Sequence, residues 1–237
     1  MLIVHEVHRV TGDGEEQFED LYRSHPDDDD LRLLYYLHHA HGTGPSYTVI
    51  TMTAVRDGNA WHRASHRMRH GDLREWANAV DALRHEHVAK VLTPLPFSPL
   101  DAVLTNIDFE SPPRTTAGDG TGQALFMEDT AWPYRGSYEA YLEKAGTKYV
   151  DTLRKAEASG RSMLRLEAAL TPVWGTGRRR EIVLWQRVIR PEALVGLFSN
   201  DVPAEYRAPG TWMHDALEVR DQWESRLLRA APWSPLA

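Results

Sequence analysis

Eleven of the twelve histidines lie in the first 87 residues, and His214 stands alone in the remainder. Imidazole titrates near neutrality, so it is the side chain suited to moving a proton or ligating a metal there. Any chemistry this chain performs is therefore expected in its first half. His87 and His39 are the candidate acid–base residues. Tyr35, Trp76, Arg84 and His5 are the candidate substrate contacts, with aromatic rings holding an apolar, aromatic or polyketide-like molecule. His39 and His41 sit two apart in a β-rich run, and His5 lies on the strand expected beside it, so the three approach a metal through imidazole nitrogens. Such a site needs outer partners that spacing does not supply. No metal or other cofactor is assigned, and a His-ligated metal enzyme ranks third among the functional readings.

Other suggestive clusters resolve to simpler readings. His62, His66 and His70 are spaced four apart but fall with Arg63, Arg67 and Arg69 beside a Trp61–Ala64–Met68 stripe, which describes a solvated cationic helix face. Asp27 to Asp30 are four consecutive carboxylates without the alternation of a calcium loop, and read as an exposed loop. Gly118 to Gly122 lack the strand-to-helix setting of a phosphate loop.

The elements that must position these residues come twice. Trp76 to Leu100 aligns without a gap on Trp212 to Leu236, matching Trp76 with Trp212, Arg84 with Arg220, and Ser98-Pro99-Leu100 with Ser234-Pro235-Leu236. Gly42-Thr43-Gly44 likewise matches Gly175-Thr176-Gly177, and Glu6 matches Glu128. Residues 110–122 are rich in Pro, Gly and Thr without apolar periodicity, and read as a linker between domains 1–109 and 123–237.

Each half parses as a short apolar strand, a helix, a hairpin, a helical region and a last extended segment. The order is βαββαβ. In the first half the hairpin joins 31–41 to 47–57, and the periodicity from Leu73 to Val91 predicts a long helix ended by Pro94 and Pro96. In the second, the hairpin spans 162–190 and helices are expected across 191–229. A βαββαβ unit leaves one sheet face without helices, and two such units in one chain can cover each other about an approximate two-fold axis. The fold class is thus α+β, two tandem ferredoxin-like units in a single-chain dimeric α+β barrel. Pairing of each half with another chain, a homodimer, is the alternative.

Along the second strand, Leu33, Tyr35, Leu37, His39 and His41 form the more apolar set and are placed against the helices. On the long helix, Arg84 and His87 fall on the apolar stripe. The matched pairs Glu6–Arg84 and Glu128–Arg220 read as structural ion pairs, and Arg84 belongs to the substrate site if its pair is absent. His87 and His39 are expected to line one cavity; their counterparts, Trp223 and Pro172, cannot transfer a proton.

Composition bounds the partners. The 237 residues carry 27 Lys+Arg against 34 Asp+Glu, a net charge of −7, which offers no broad positive field for nucleic acid or anionic lipid. With no cysteine there is no disulfide, thiol nucleophile or thiolate-bound metal. The apolar run Leu2-Ile3-Val4 is too short for a signal core or membrane span. A soluble cytoplasmic protein with a small-molecule substrate, and neither a nucleic-acid nor a membrane partner, is the expectation.

The ending Lys90-Val91-Leu92-Thr93-Pro94-Leu95-Pro96-Phe97-Ser98-Pro99-Leu100 resembles the C-terminal signature of the NIPSNAP family, whose tandem layout is also similar. The second half keeps part of it, in Pro232-Trp233-Ser234-Pro235-Leu236. The resemblance implies a dimeric α+β barrel fold and no defined catalytic set. Cofactor-independent monooxygenases and isomerases share the wider fold. The leading reading is a small-molecule enzyme using acid–base or cofactor-independent oxidative chemistry in the first domain; the alternative is a non-catalytic binding or scaffold protein.

Overall fold

The computed structural model describes residues 1–100, 109, 124–174, 179–199 and 204–236. The expected linker 110–122 and the Gly175-Thr176-Gly177 turn lie outside them. The chain forms two compact units, one of Met1–Thr93, Leu104–Ala124 and Leu227–Ala237, the other of Pro94–Val103 and Leu125–Arg226. By this division each compact unit includes an end segment from the other half of the sequence.

Unit 1 runs β1 (Leu2–Val10), α1 (Glu15–Arg23), β2 (Leu31–His39), β3 (Thr48–Val55), α2 (Gly58–His70), α3 (Arg74–Ala82) and β4 (Arg84–Pro94). β1 pairs antiparallel with both β3 and β4, and β3 pairs antiparallel with β2. Leu228–Ala230 from the chain's end then pairs antiparallel with Leu37–His39. One sheet face is covered by α1 and α3 through Val10, Phe18, Tyr22, Leu33, Tyr36, Val49 and Val80. α2 packs Ala60 and Ala64 on Val4, Leu31 and Val55. The Asp57 carboxylate caps α2 by accepting the Ala60 amide at 2.8 Å, and Arg67, Arg69 and His70 close its negative end.

Unit 2 repeats the plan with β5 (Leu125–Pro133), α4 (Tyr138–Lys144), α5 (Val150–Ala158), β6 (Leu164–Pro172), β7 (Ile182–Val188), α6 (Leu194–Phe198), α7 (Trp212–Asp215) and β8 (Arg220–Ala230). β7 pairs antiparallel with β5 and β6, and β8 lies along β5. The order βαββαβ therefore holds in both units. Among the described residues no helix is long and apolar enough to cross a membrane.

Two expectations are corrected. The long helix stops at Ala82, and residues 84–94, like 220–230, are strand. His85-Glu86-His87-Val88-Ala89-Lys90-Val91-Leu92 satisfies both a helical and a strand period, and eight residues of pairing with β1 decide for the strand. Secondly, a bulge at Leu34 breaks the alternation of β2. Leu33 faces the helices, but beyond the bulge Tyr36 and His38 do so, which turns Tyr35 and His39 to the other face. Packing enforces this: Tyr36 sits on Tyr22 at 5.5 Å, and the His38 ring reaches Glu15 and Glu19 of α1.

The repeated Ser-Pro-Leu endings serve the bulges. The Ser234 hydroxyl accepts the Tyr36 amide at 3.0 Å in unit 1, and the Ser98 hydroxyl accepts the Ala169 amide at 2.9 Å in unit 2. Tyr36 and Ala169 each stand two residues past a bulge, at Leu34 and Glu167, and the serine pairs a strand amide that would otherwise be stranded.

Candidate functional site

Between the unit 1 sheet and its helices lies a cavity of about 180 Å³. β1 contributes Val4 and Glu6, α1 Tyr22, α2 Ala64 and Met68, α3 Trp76 and Ala77, and β4 Arg84 and His87; His25 comes just after α1. Alternation on β1 sends Val4, Glu6, His8 and Val10 toward the helices. On β4 a bulge next to Arg84 brings Arg84 and His87, three residues apart, onto that same face.

The polar end of the cavity is one connected network. His87 Nε2 lies 2.8 Å from Glu6 Oε1, and the Thr51 hydroxyl donates to Glu6 Oε2 at 3.3 Å. His8 Nε2 is 3.1 Å from the Thr51 oxygen and 3.3 Å from the Tyr22 hydroxyl. Arg84 donates from NH1 to His8 Nδ1 at 3.1 Å and twice to Asp81 Oδ1, at 3.0 and 3.1 Å. The rings of His8 and His87 stack with centroids 5.2 Å apart and planes 6° from parallel.

Donor rules settle the proton positions. A guanidinium only donates, so His8 Nδ1 carries the lone pair and its ring proton sits on Nε2. Burial disfavours a charged His8 ring and, despite the attraction of Glu6, lowers its pKa to about 3. His8 is thus a neutral spacer. Burial alone would raise the Glu6 pKa, but the His87 hydrogen bond, the two imidazoles whenever they are protonated, and the Arg84 guanidinium bring it down to about 2. As a carboxylate Glu6 only accepts, so His87 holds its ring proton on Nε2 and presents Nδ1 as the basic atom. The His87 side chain is 30% exposed, which leaves it within reach of a ligand. Burial also pushes the Tyr22 hydroxyl well above its ordinary pKa, keeping it neutral.

A second imidazole lines the cavity. His25 Nδ1 lies 2.8 Å from Asp27 Oδ1, and its ring meets Tyr22 at 5.9 Å and the edge of Trp76 at 5.4 Å. The Trp76 Nε1–H is engaged by the Leu21 carbonyl at 3.0 Å, which fixes the indole as a wall.

Of the sequence-derived candidates, His87, Trp76 and Arg84 come together in this cavity. Tyr35, His5 and His39 do not line it; they lie on the opposite sheet face, so the expected common cavity of His87 and His39 does not form. Tyr35 and His5 flank Met52 on that face, both fully or nearly fully buried. His39 packs on Gly44, where a Cβ would come within 1.8 Å of the ring. Among the described residues no group of three His, Asp or Glu is arranged to hold a metal ion. The expected Glu6–Arg84 pair is replaced by Glu6–His87 and Arg84–Asp81. In unit 2, Glu128 pairs with Arg226 at 3.2 Å, whereas Arg220 covers the Trp223 ring. Sequence reasoning missed His8, Tyr22, His25 and Thr51, and read Glu6 as merely structural. The available signal was Glu6 and His8 occupying alternate positions of an otherwise apolar strand face.

Register identifies the unit 2 counterparts. His5 and Glu128 face Met52 and Trp185, each opposite the residue just past the bulge, so Glu6 corresponds to Asp129 and not to Glu128. His8, Thr51 and His87 then correspond to Ala131, Leu184 and Trp223. Asp129 instead accepts from Ser225 at 2.7 Å and from Gln186 at 2.8 Å, and Gln186 accepts from Tyr149. Unit 2 keeps the carboxylate and the arginine and loses every proton-transfer group of unit 1.

No family model and no curated protein matches the chain. Among solved structures, it is similar to an anthrone oxidase-like protein at 9% identity and a TM-score of 0.58, over 97% of this chain and 91% of that one. A provisionally assigned monooxygenase from Lactobacillus acidophilus matches at 9% identity and a TM-score of 0.55, over 96% and 93% of the two chains. A NIPSNAP family protein from Agrobacterium tumefaciens is 20% identical over 42% of this chain and 99% of its own, with a TM-score of 0.34. The two full-length likenesses place the fold in the dimeric α+β barrel class.

Proposed function

We propose that unit 1 is a small-molecule enzyme that deprotonates an activated aromatic and exposes the resulting anion to molecular oxygen. The observation that carries this is the Glu6–His87 dyad, 2.8 Å long and opening into an aromatic-walled cavity. Glu6 fixes the His87 tautomer and favours the imidazolium that forms when Nδ1 takes a proton from a ring CH₂ that lies across the ring from an aryl ketone and is conjugated to it through the flanking arenes. The charge passes to the ketone oxygen. Three of the five Arg84 N–H groups are engaged by His8 and Asp81, which leaves two for that oxygen. Oxygen then converts CH₂ to C=O with release of one water.

Size supports an aromatic ligand, since a cavity of roughly 150 Å³ admits benzene. The likeness to an anthrone oxidase-like protein supports the choice of probe. Anthrone in air-saturated buffer should be oxidised above its spontaneous rate, with one oxygen consumed per molecule. His87→Ala should lower that rate about 10²- to 10⁴-fold while remaining folded. Parent protein no faster than buffer, or an undiminished His87→Ala, overturns the reading.

The ending Lys90 to Leu100 favours a second reading, a non-catalytic binding protein of the NIPSNAP type. Ligand binding without turnover would select it.

A further inference from the structure

We propose that His25 is the specificity determinant of the cavity, accepting a hydrogen bond at Nε2 from a phenolic O–H, so that the site takes hydroxylated aromatics. This rests on the reading of the cavity as an aromatic-binding site, and adds a contact that the Glu6–His87 chemistry does not use.

Asp27 Oδ1 accepts the Leu33 amide at 2.7 Å as well as facing His25 Nδ1 at 2.8 Å. An oxygen that takes the amide proton acts as an acceptor, so His25 holds its ring proton on Nδ1. In its uncharged form the ring then directs a lone pair from Nε2, and among the described residues no protein donor meets that atom. Only 5% of the side chain is exposed, against 30% for His87, so His25 is the deeper imidazole. Tyr22 packs against one ring face and the Trp76 edge meets it at 87°, which leaves little freedom to turn away. Nearby walls are Leu31, Ala64, Met68 and Trp76. An acceptor that opens into a cavity with apolar walls is poorly matched by a hydrocarbon or an ether oxygen, and well matched by O–H. Arg84, also in the lining, offers donors only. The cavity thus holds two chemically different polar groups, an acceptor for O–H at His25 and donors for a ketone or enolate oxygen at Arg84.

The test is binding, read by tryptophan fluorescence or calorimetry, of 2-naphthol, 2-methoxynaphthalene and naphthalene. The parent should bind 2-naphthol about tenfold tighter than the ether. His25→Phe should erase that preference while still binding naphthalene, which shows that the cavity is intact. His25→Gln, whose amide oxygen also accepts, should restore part of it. Preference retained in His25→Phe, or lost in His87→Ala instead, overturns the proposal, as does a parent that does not discriminate. No turnover is required, so failed anthrone oxidation with the expected naphthol preference sinks the oxidative reading alone. Oxidation without the preference sinks only the role of His25.

Discussion

Glu6 and Asp129 occupy the same position on the first strands of the two sheets, yet their carboxyls are driven in opposite directions. Glu6 accepts from the His87 imidazole and lies near the Arg84 guanidinium, and its pKa falls to about 2. Asp129 is buried, and burial raises its pKa to about 6, outweighing the hydrogen bonds from Ser225, Gln186 and Trp223 and the Arg220 charge. One fold position thus carries a charged acceptor in unit 1 and a largely solvent-free acid in unit 2.

Asp129 therefore opposes stability at high pH. Its folded pKa exceeds the ordinary 3.8, so its contribution is full below pH 3.8 and lost as pH rises through about 6. A shift of this size corresponds to roughly 3 kcal/mol. Asp129→Asn should raise unfolding stability at pH 8 by up to that amount and change it little at pH 4. Denaturant titrations at the two pH values check this; equal effects at both would mean Asp129 is not protonated in the folded protein.

His8 works in the other direction. Its folded pKa, about 3, lies below the ordinary 6.5, so stability is present above pH 6.5 and is lost as pH falls toward 3. Between pH 6 and 4 the unfolded chain binds one more proton at this site, worth about 1.4 kcal/mol per pH unit. His8→Asn should flatten the acid limb of the stability profile by that slope. An unchanged slope would show that His8 is already charged in the folded state.

Legibility in the sequence depends on whether a residue's surroundings repeat. Trp76 and Trp212 read as a matched pair, and each packs on tyrosine rings under its sheet: Trp76 on Tyr22, Trp212 on Tyr141 and Tyr149. The βαββαβ order is legible from turns and prolines. The single-residue bulges at Leu34 and next to Arg84 are not, because nothing in the residue types around them marks the extra residue and only pairing partners reveal it. Each bulge reverses the facing of the residues beyond it, which is why strict alternation puts His39 in the cavity and the structure does not. His87 reaches the expected side although its element is strand and not helix. The exchange of the Ser-Pro-Leu endings is equally hidden, since a serine hydroxyl carries no sign of which distant amide it will meet.

Arg84 holds His8 and pairs with Asp81, and is not the mate of Glu6; its contact with a ligand belongs to the proposed function. Its carboxylate partner Asp81 is 74% exposed, so that pair adds little to stability. Arg84→Met keeps the apolar stem and removes the donors. Thermal unfolding should shift modestly, by about 1 kcal/mol, while anthrone turnover falls about 100-fold or more. A large loss of stability with kcat/KM intact in the surviving fraction would return Arg84 to a structural role.

The two sheet faces of unit 1 each hold candidate residues, and one substitution separates them. Ala77 lines the cavity from α3, on the side of Glu6, His25, Arg84 and His87, while His5, Tyr35 and His39 lie on the far face of the sheet. Leucine at this position takes up part of the space of about 180 Å³ that Ala77 lines. Filling a void in a partly exposed helix position should leave stability within about 1 kcal/mol of the parent. Naphthalene binding should be lost and KM for anthrone raised at least tenfold, with the His87–Glu6 hydrogen bond preserved. If Ala77→Leu folds normally and oxidises anthrone with parental kinetics, the reaction does not occur in this cavity. Substitutions of Tyr35 and His39 would then be the place to look, and the role given to His87 would fall with the cavity.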